Sequence, residues 1–202
     1  MFDETNYCQK IAHVRQNADG SWAEPHWLKD HAQDVAKLAK GFAEQFRSGA
    51  WAFTVGIVHD AGKEPQKWQS YLCRKSGYDE EAHLEGKHGK IEHSCHGAKL
   101  VEELFGKGIG RILGYCVAGH HAGLPDWYPD EAGGQSAFSF RLQNTKTGEL
   151  SSELKDGVVR AKPGDPPWKF DNEGLDLSLW IRMLFSSLVD ADFLDTEAYM
   201  KE

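Results

Sequence analysis

The chain has 202 residues and a formal net charge of −8, with 40% hydrophobic, 11% aromatic and 27% charged residues. These proportions exclude collagen-like, coiled-coil and wholly disordered chains, and a single domain of this length buries about 70% of the surface its unfolded form exposes. The longest nearly apolar run, Trp51 to Val58, falls far short of the ~20 residues that a bilayer-crossing helix needs.

The opening MFDETNYCQK is acidic where a secretory signal is basic and apolar, so the expectation is a cytoplasmic protein that is not exported. The four cysteines, Cys8, Cys73, Cys95 and Cys116, form no C-x-x-C pair, which points to free thiols in a reducing compartment. The acidic balance speaks against a domain that grips nucleic acid with its whole surface. Bound metal ions can still reverse the field locally, and the ten histidines make that possibility the one to pursue.

Apolar spacing of three and four predicts helices over about residues 27–46, 51–61, 92–104, 109–121 and 177–200, with few competing strand signals. The expected fold is therefore all-α. A solvated connection is expected over 75–90, around Asp79-Glu80-Glu81, and a long irregular insertion over about 123–174, with room for one small β-hairpin near 138–150. The glycines at 106, 108 and 110 lack the strand and the GK[ST] ending of a phosphate loop, so they read as an inter-helix turn. Neither repeats nor low-complexity tracts break the chain, which is read as one domain over residues 1–202.

A helix turns about 100° per residue, which sorts the histidines and acids by face. His31 lines up with Leu28, Val35, Leu38 and Phe42, whereas His26 falls on the far side. His59 follows Ala52 and Val55, with Asp60 directly after it; His93 shares a side with Gly97, Leu100 and Leu104, while His96 lies on the flank. His120 continues Leu113, Cys116 and Val117, with His121 adjacent, and Asp192 sits in the stripe of Ile181, Leu184, Phe185 and Leu188, opposite Asp190. Burying five imidazoles and two carboxylates without partners costs several kcal/mol each, so they satisfy one another or surround cations. Seven donors exceed what one tetrahedral ion uses, which favours a two-ion centre over an internal salt-bridge network.

The order His31, His59-Asp60, Asp192 resembles the HD phosphohydrolase superfamily. Three additions narrow the likeness: H-D-A-G-K at His59 to Lys63, H-S-x-x-G-A at His93 to Ala98, and G-H-H-A-G at Gly119 to Gly123. With the closing L-V-D-A-D-F-L-D-T-E from Leu188, the chain resembles the HD nuclease domain of the CRISPR-associated helicase-nuclease of type I interference systems, either stand-alone or excised from a larger chain.

The resemblance implies one metal on His31, His59, Asp60 and Asp192 and a second on Asp60, His93, His120 and His121, with Asp60 bridging and Lys63 near the scissile phosphate. Asp190 and Asp195 stand close enough to Asp192 to compete for the last ligand position. The implied cofactors are two divalent transition-metal ions, Mn, Co, Ni or Fe before Zn or Mg. The implied activity is endonucleolytic and exonucleolytic cleavage of single-stranded DNA in CRISPR interference and antiviral defence, by attack of a hydroxide formed between ions ~3.5–4 Å apart. The implied partners are a helicase domain or subunit and an RNA-guided surveillance complex. Two other readings stand beside it: an HD phosphohydrolase of nucleotides or cyclic nucleotides, and an inactive HD domain that only binds metal or a partner. Trp127, Tyr128 and Trp168 either stack on bases or anchor the insertion to the body.

Overall fold

A computed structural model describes residues 10–79, 93–129 and 136–202, with the backbone alone at Glu173. The fold is all-α. Eight α-helices lie among the described residues: α1 (Leu28–Ala43), α2 (Gly49–Val58), α3 (Gln66–Ser76), α4 (Ser94–Phe105), α5 (Ile109–Gly119), α6 (Phe138–Asn144), α7 (Ser152–Arg160) and α8 (Glu173–Lys201). A small antiparallel sheet joins β1 (Ile11–His13) to β2 (His26–Trp27), pairing Ile11 with Trp27 and His13 with His26. No helix among the described residues is long and apolar enough to cross a membrane.

The sequence W-A-F-T-V-G-I-V makes α2 apolar nearly all round, and such a helix must be enclosed by others. It packs against α1, α4, α5, α7 and α8. Helix α1 offers Val35, Ala39 and Ala43 at intervals of four, all fully buried, and small side chains there let α2 lie close. Helix α8 is capped by Asn172, whose Oδ1 accepts from the Leu175 amide. Its buried stripe of Trp180, Leu184, Leu188 and Ala191 runs on along the same side into Asp192, Asp195 and Tyr199, which is how a core-facing helix comes to carry acids to an interior site. Leu38 and Leu104, expected on inward stripes, are exposed; Ala39 and Val101 occupy the buried positions beside them.

The small sheet is at the N-terminal side, not near 138–150. Residues Phe138–Asn144 are helical, with Phe138 and Leu142 inserted into the core four positions apart, and α7 adds a second helix to the stretch expected to be irregular. Helix α3 also escaped the apolar pattern. Residues 80–92 and 130–135 lie outside the described residues, and with them the start of the predicted helix 92–104 and most of the connection 75–90. Gly106 to Gly108 form the turn between α4 and α5, as expected, whereas Gly110 lies inside α5, packed against the Val101 carbonyl of α4. Cys73, Cys95 and Cys116 form no disulfide among the described residues; Cys8 lies outside them.

Candidate metal centre

The candidate ligands come from helix ends more than from helix interiors. His31 is one turn into α1, and Asp192 lies in the C-terminal half of α8. His59 and His120 are the C-caps of α2 and α5, and His93 is the N-cap of α4. Two motif glycines permit this convergence. A Cβ on Gly62 would stand 2.6 Å from the Cα of His93, and one on Gly97 would collide with the Val58 carbonyl. Hydrogen in both places lets α4 settle against the end of α2.

The result is two groups of donors that meet at one carboxylate. His31 Nε2, His59 Nε2 and Asp192 Oδ1 form the first, with His31 Nε2 3.2 Å from His59 Nε2 and 3.4 Å from Asp192, and His59 3.6 Å from Asp192. Asp60 Oδ2 joins them, 3.3 Å from His31 and 3.4 Å from His59. The other oxygen, Oδ1, faces the second group, 3.5 Å from both His93 Nε2 and His120 Nε2; His121 Nε2 lies 2.8 Å from His93 Nε2. Donors about 2.1 Å from a common ion stand about 3.0 Å apart at octahedral angles and about 3.4 Å at tetrahedral ones. The donor separations given above, 2.8–3.6 Å, straddle those two values.

Hydrogen bonding behind the rings decides which nitrogen faces inward. His59 Nδ1 is 2.7 Å from the Gly56 carbonyl, and His120 Nδ1 is 2.6 Å from that of Val117, the same three-residue reach back into the helix end. His31 Nδ1 lies 2.6 Å from Asp195 Oδ2. A carbonyl accepts, so each Nδ1 of His59 and His120 carries a proton and turns Nε2 toward the carboxylate with its lone pair available. Such an outer partner behind each imidazole is the usual arrangement in metal sites. Both oxygens of Asp60 and His120 Nε2 are buried without a hydrogen bond. Lone pairs crowded against lone pairs repel, and a cation among them removes the repulsion. The residues therefore fit a metal ion.

Charge in the metal-free site is balanced by Lys63 and His31. Lys63, buried at 5% exposure, places Nζ 2.7 Å from Asp60 Oδ2, an ion pair out of line for a hydrogen bond, and its ammonium lies over the Trp68 ring. Burial pushes the Asp60 carboxyl up, but Lys63 and then the imidazoles outweigh it and hold the group well below the usual carboxylate range. Desolvation likewise lowers His31, yet the carboxylates of Asp192, Asp195 and Asp60 that face it raise it to about 10. Asp192 is depressed in turn by His31 and His59 against its burial. His121, the most exposed of the seven, is pushed down to about 3 by desolvation first and then by His120 and His93.

All seven ligand candidates and Lys63 thus converge. Asp192, not Asp190, reaches the site: Asp190 is exposed on the opposite side of α8. His26 does not fall on the far side. It precedes α1 in an extended strand, where helix phase does not apply, and its ring centre is 4.9 Å from that of His31. His13 and Arg141 went unassigned, and Asp195, named only as a competitor for the last ligand position, instead accepts from His31 Nδ1. Arg141 on α6 donates to Ser94 Oγ at 2.8 Å and to the Ala118 carbonyl at 3.1 Å, tying the ends of α4 and α5 that carry His93 and His120. The spacing of Asp195 three after Asp192 on one helix face was the available signal for it. Trp127 packs against Phe138 under the Arg111 guanidinium and Trp168 bonds the Phe46 carbonyl, so both anchor the insertion, while Tyr128 is 75% exposed.

Compared with known proteins, the chain matches no protein-family model and no curated protein.

Proposed function

We propose that this protein is a metal-dependent nuclease that hydrolyses phosphodiester bonds of single-stranded DNA, with one divalent transition-metal ion on each side of Asp60. The observation that carries the reading is the division of Asp60, whose two buried oxygens face two separate sets of imidazole nitrogens at coordination spacing. Phosphodiester chemistry calls for such a pair: bound there, ions of this kind lower the pKa of water toward neutrality and offset charge on the phosphoryl oxygens. Asp60 fixes the spacing of the two donor sets. The carbonyls of Gly56 and Val117 hold His59 and His120 in one tautomer, with Nε2 already turned toward Asp60. Lys63 supplies a preplaced positive charge for a non-bridging phosphate oxygen, and Trp68 and the core around α2 keep its stem out of water.

The DNA substrate, the helicase partner, the RNA-guided surveillance complex, the role in antiviral defence and the cytoplasmic setting rest on the resemblance of the motifs, and they belong to this proposal. The test is to incubate protein loaded with Mn²⁺, Co²⁺ or Ni²⁺ with circular single-stranded DNA and, in parallel, with mononucleotides. Linearised and shortened DNA is the expected product. Phosphate or nucleoside released from mononucleotides alone would replace the nuclease with a nucleotide phosphohydrolase, and no turnover on either would leave a binding domain. His59→Ala and Asp60→Ala remove the activity while the far-ultraviolet circular dichroism stays helical.

A further inference from the structure

The small sheet in front of α1 carries two histidines that the ligand sets do not use, and they lie in line. Lys63 Nζ is 3.2 Å from His13 Nε2; His13 Nδ1 is 3.2 Å from His26 Nδ1; His26 Nε2 is 3.3 Å from Asp195 Oδ2; and Asp195 Oδ2 is 2.6 Å from His31 Nδ1. The two ends fix the direction of every bond. An ammonium only donates and a carboxylate only accepts. His13 Nε2 therefore accepts from Lys63, leaving its proton on Nδ1, which donates to His26 Nδ1. His26 then carries its proton on Nε2, which faces Asp195 Oδ2 at 3.3 Å in a polar contact, and Asp195 accepts a hydrogen bond from His31. One tautomer of each ring is consistent with every contact in the chain.

We infer that His13, His26 and Asp195 are positioning residues: a chain of polar contacts through the β1–β2 sheet that aims His31 Nε2 at the first metal group and fixes the Lys63 ammonium beside Asp60. The chain is built in. Residue pairing in the sheet sets His13 opposite His26. Gln69 on α3 clamps β1 to the turn after Asp60, accepting from the Ile11 amide at 2.9 Å and donating to the carbonyls of Ile11 and Lys63 at 3.0 and 2.7 Å. The His26 ring stacks on Tyr199 at 4.7 Å and 18°, and Tyr199 donates to the Glu24 carbonyl. The three imidazoles His13, His26 and His31 also offer nitrogens within 4.8 Å of one another. A third ion there is disfavoured, because the Lys63 ammonium already occupies His13 Nε2 and Asp195 already occupies His26 Nε2.

This inference rests on the metal-dependent reading above, and its test separates the two. Mn²⁺ affinity is measured by titration calorimetry, together with kcat and KM on single-stranded DNA, for the intact chain and for His13→Phe, His26→Phe, His13→Gln and His26→Gln. Phe keeps the ring, and at position 26 the stack on Tyr199, but removes the polar contacts on both sides; Gln supplies one acceptor and one donor in the same line. The expected result is a fall of about 10-fold in metal affinity for His26→Phe, the low end of the range for lost outer partners of metal ligands, since His26 reaches His31 through Asp195. His13→Phe should lose at least about tenfold in kcat at saturating metal through a misplaced Lys63. Both Gln variants recover most of the loss. In the metal-free protein, long-range ¹⁵N–¹H correlation should find His13 protonated on Nδ1 and His26 on Nε2. Phe variants that bind Mn²⁺ and turn over as the parent does would overturn the positioning role, as would Gln variants as impaired as Phe, since the loss would then be one of packing. A parent chain that binds no Mn²⁺ would overturn the metal reading itself.

Discussion

Asp60 and Lys63 form a buried ion pair whose loss can be sized. Asp60 is 2% exposed, Lys63 is 5% exposed, and their charged atoms are 2.7 Å apart. Removing one partner of such a pair leaves the other charge buried and costs about 3–5 kcal/mol, whereas removing both leaves neither stranded by the other and costs less than the two losses added. Asp60→Asn is the harsher change, because it strands Lys63 and His31 together; Lys63→Met leaves Asp60 still facing His31. At about 2–4 °C per kcal/mol for a chain of this size, Asp60→Asn in the metal-free protein should lower Tm by about 6–20 °C. The double substitution Asp60→Asn, Lys63→Met should be less destabilised than the sum of the singles by about 0.5–3 kcal/mol. Urea unfolding in the presence of a chelator, followed by circular dichroism, completes the cycle. Additive losses within about 0.5 kcal/mol would refute the claim that these charges are buried against one another.

Three further outcomes follow from the geometry. Asp192→Asn should abolish high-affinity metal binding, while Asp190→Asn, on the exposed side of α8, should bind Mn²⁺ as the parent does; equal losses in a titration would reverse the assignment. His31 is raised to about 10 in the metal-free site, so it holds a proton at pH 7 that a metal ion at Nε2 must displace. Affinity should therefore rise with pH between 6 and 9, and binding heats should change with buffer ionisation enthalpy; buffer-independent heats would contradict the proton's presence. Gly97→Ala should destabilise the protein by about 1–3 kcal/mol, the usual cost of overpacking, because the new methyl meets the Val58 carbonyl and Val117. A neutral effect on urea unfolding would show that α2 and α4 have room to part.

The helices that build the interior were legible because they are long and strongly patterned. Helices α1, α2, α4, α5 and α8 bury Val35, Val55, Leu100, Leu113 and Leu188 at the spacings the sequence shows. The ligand candidates were legible for the same reason: His31 and Asp192 lie within such stripes, and His59, His93 and His120 are close enough to helix ends for the phase still to hold. Helix phase failed where there is no helix. His13 and His26 lie in a two-strand sheet formed by segments 13 residues apart, and nothing in the local pattern announces that pairing. Short α6 was misjudged because Phe138 and Leu142 are too few to separate a helical period from an alternating one. The value of Arg141 and Gln69 was invisible, since each acts by bonding backbone from elements distant in sequence, Ala118 for Arg141 and Ile11 for Gln69.

The central claim is that Asp60 lies between two metal ions. Crystals grown with Mn²⁺ and measured at the manganese absorption edge test it directly. The account predicts two anomalous peaks about 3.5–4 Å apart, one among His31, His59, Asp60 and Asp192 and the other among Asp60, His93, His120 and His121. A map with no peak beside Asp60, or with manganese only at surface carboxylates, would contradict it.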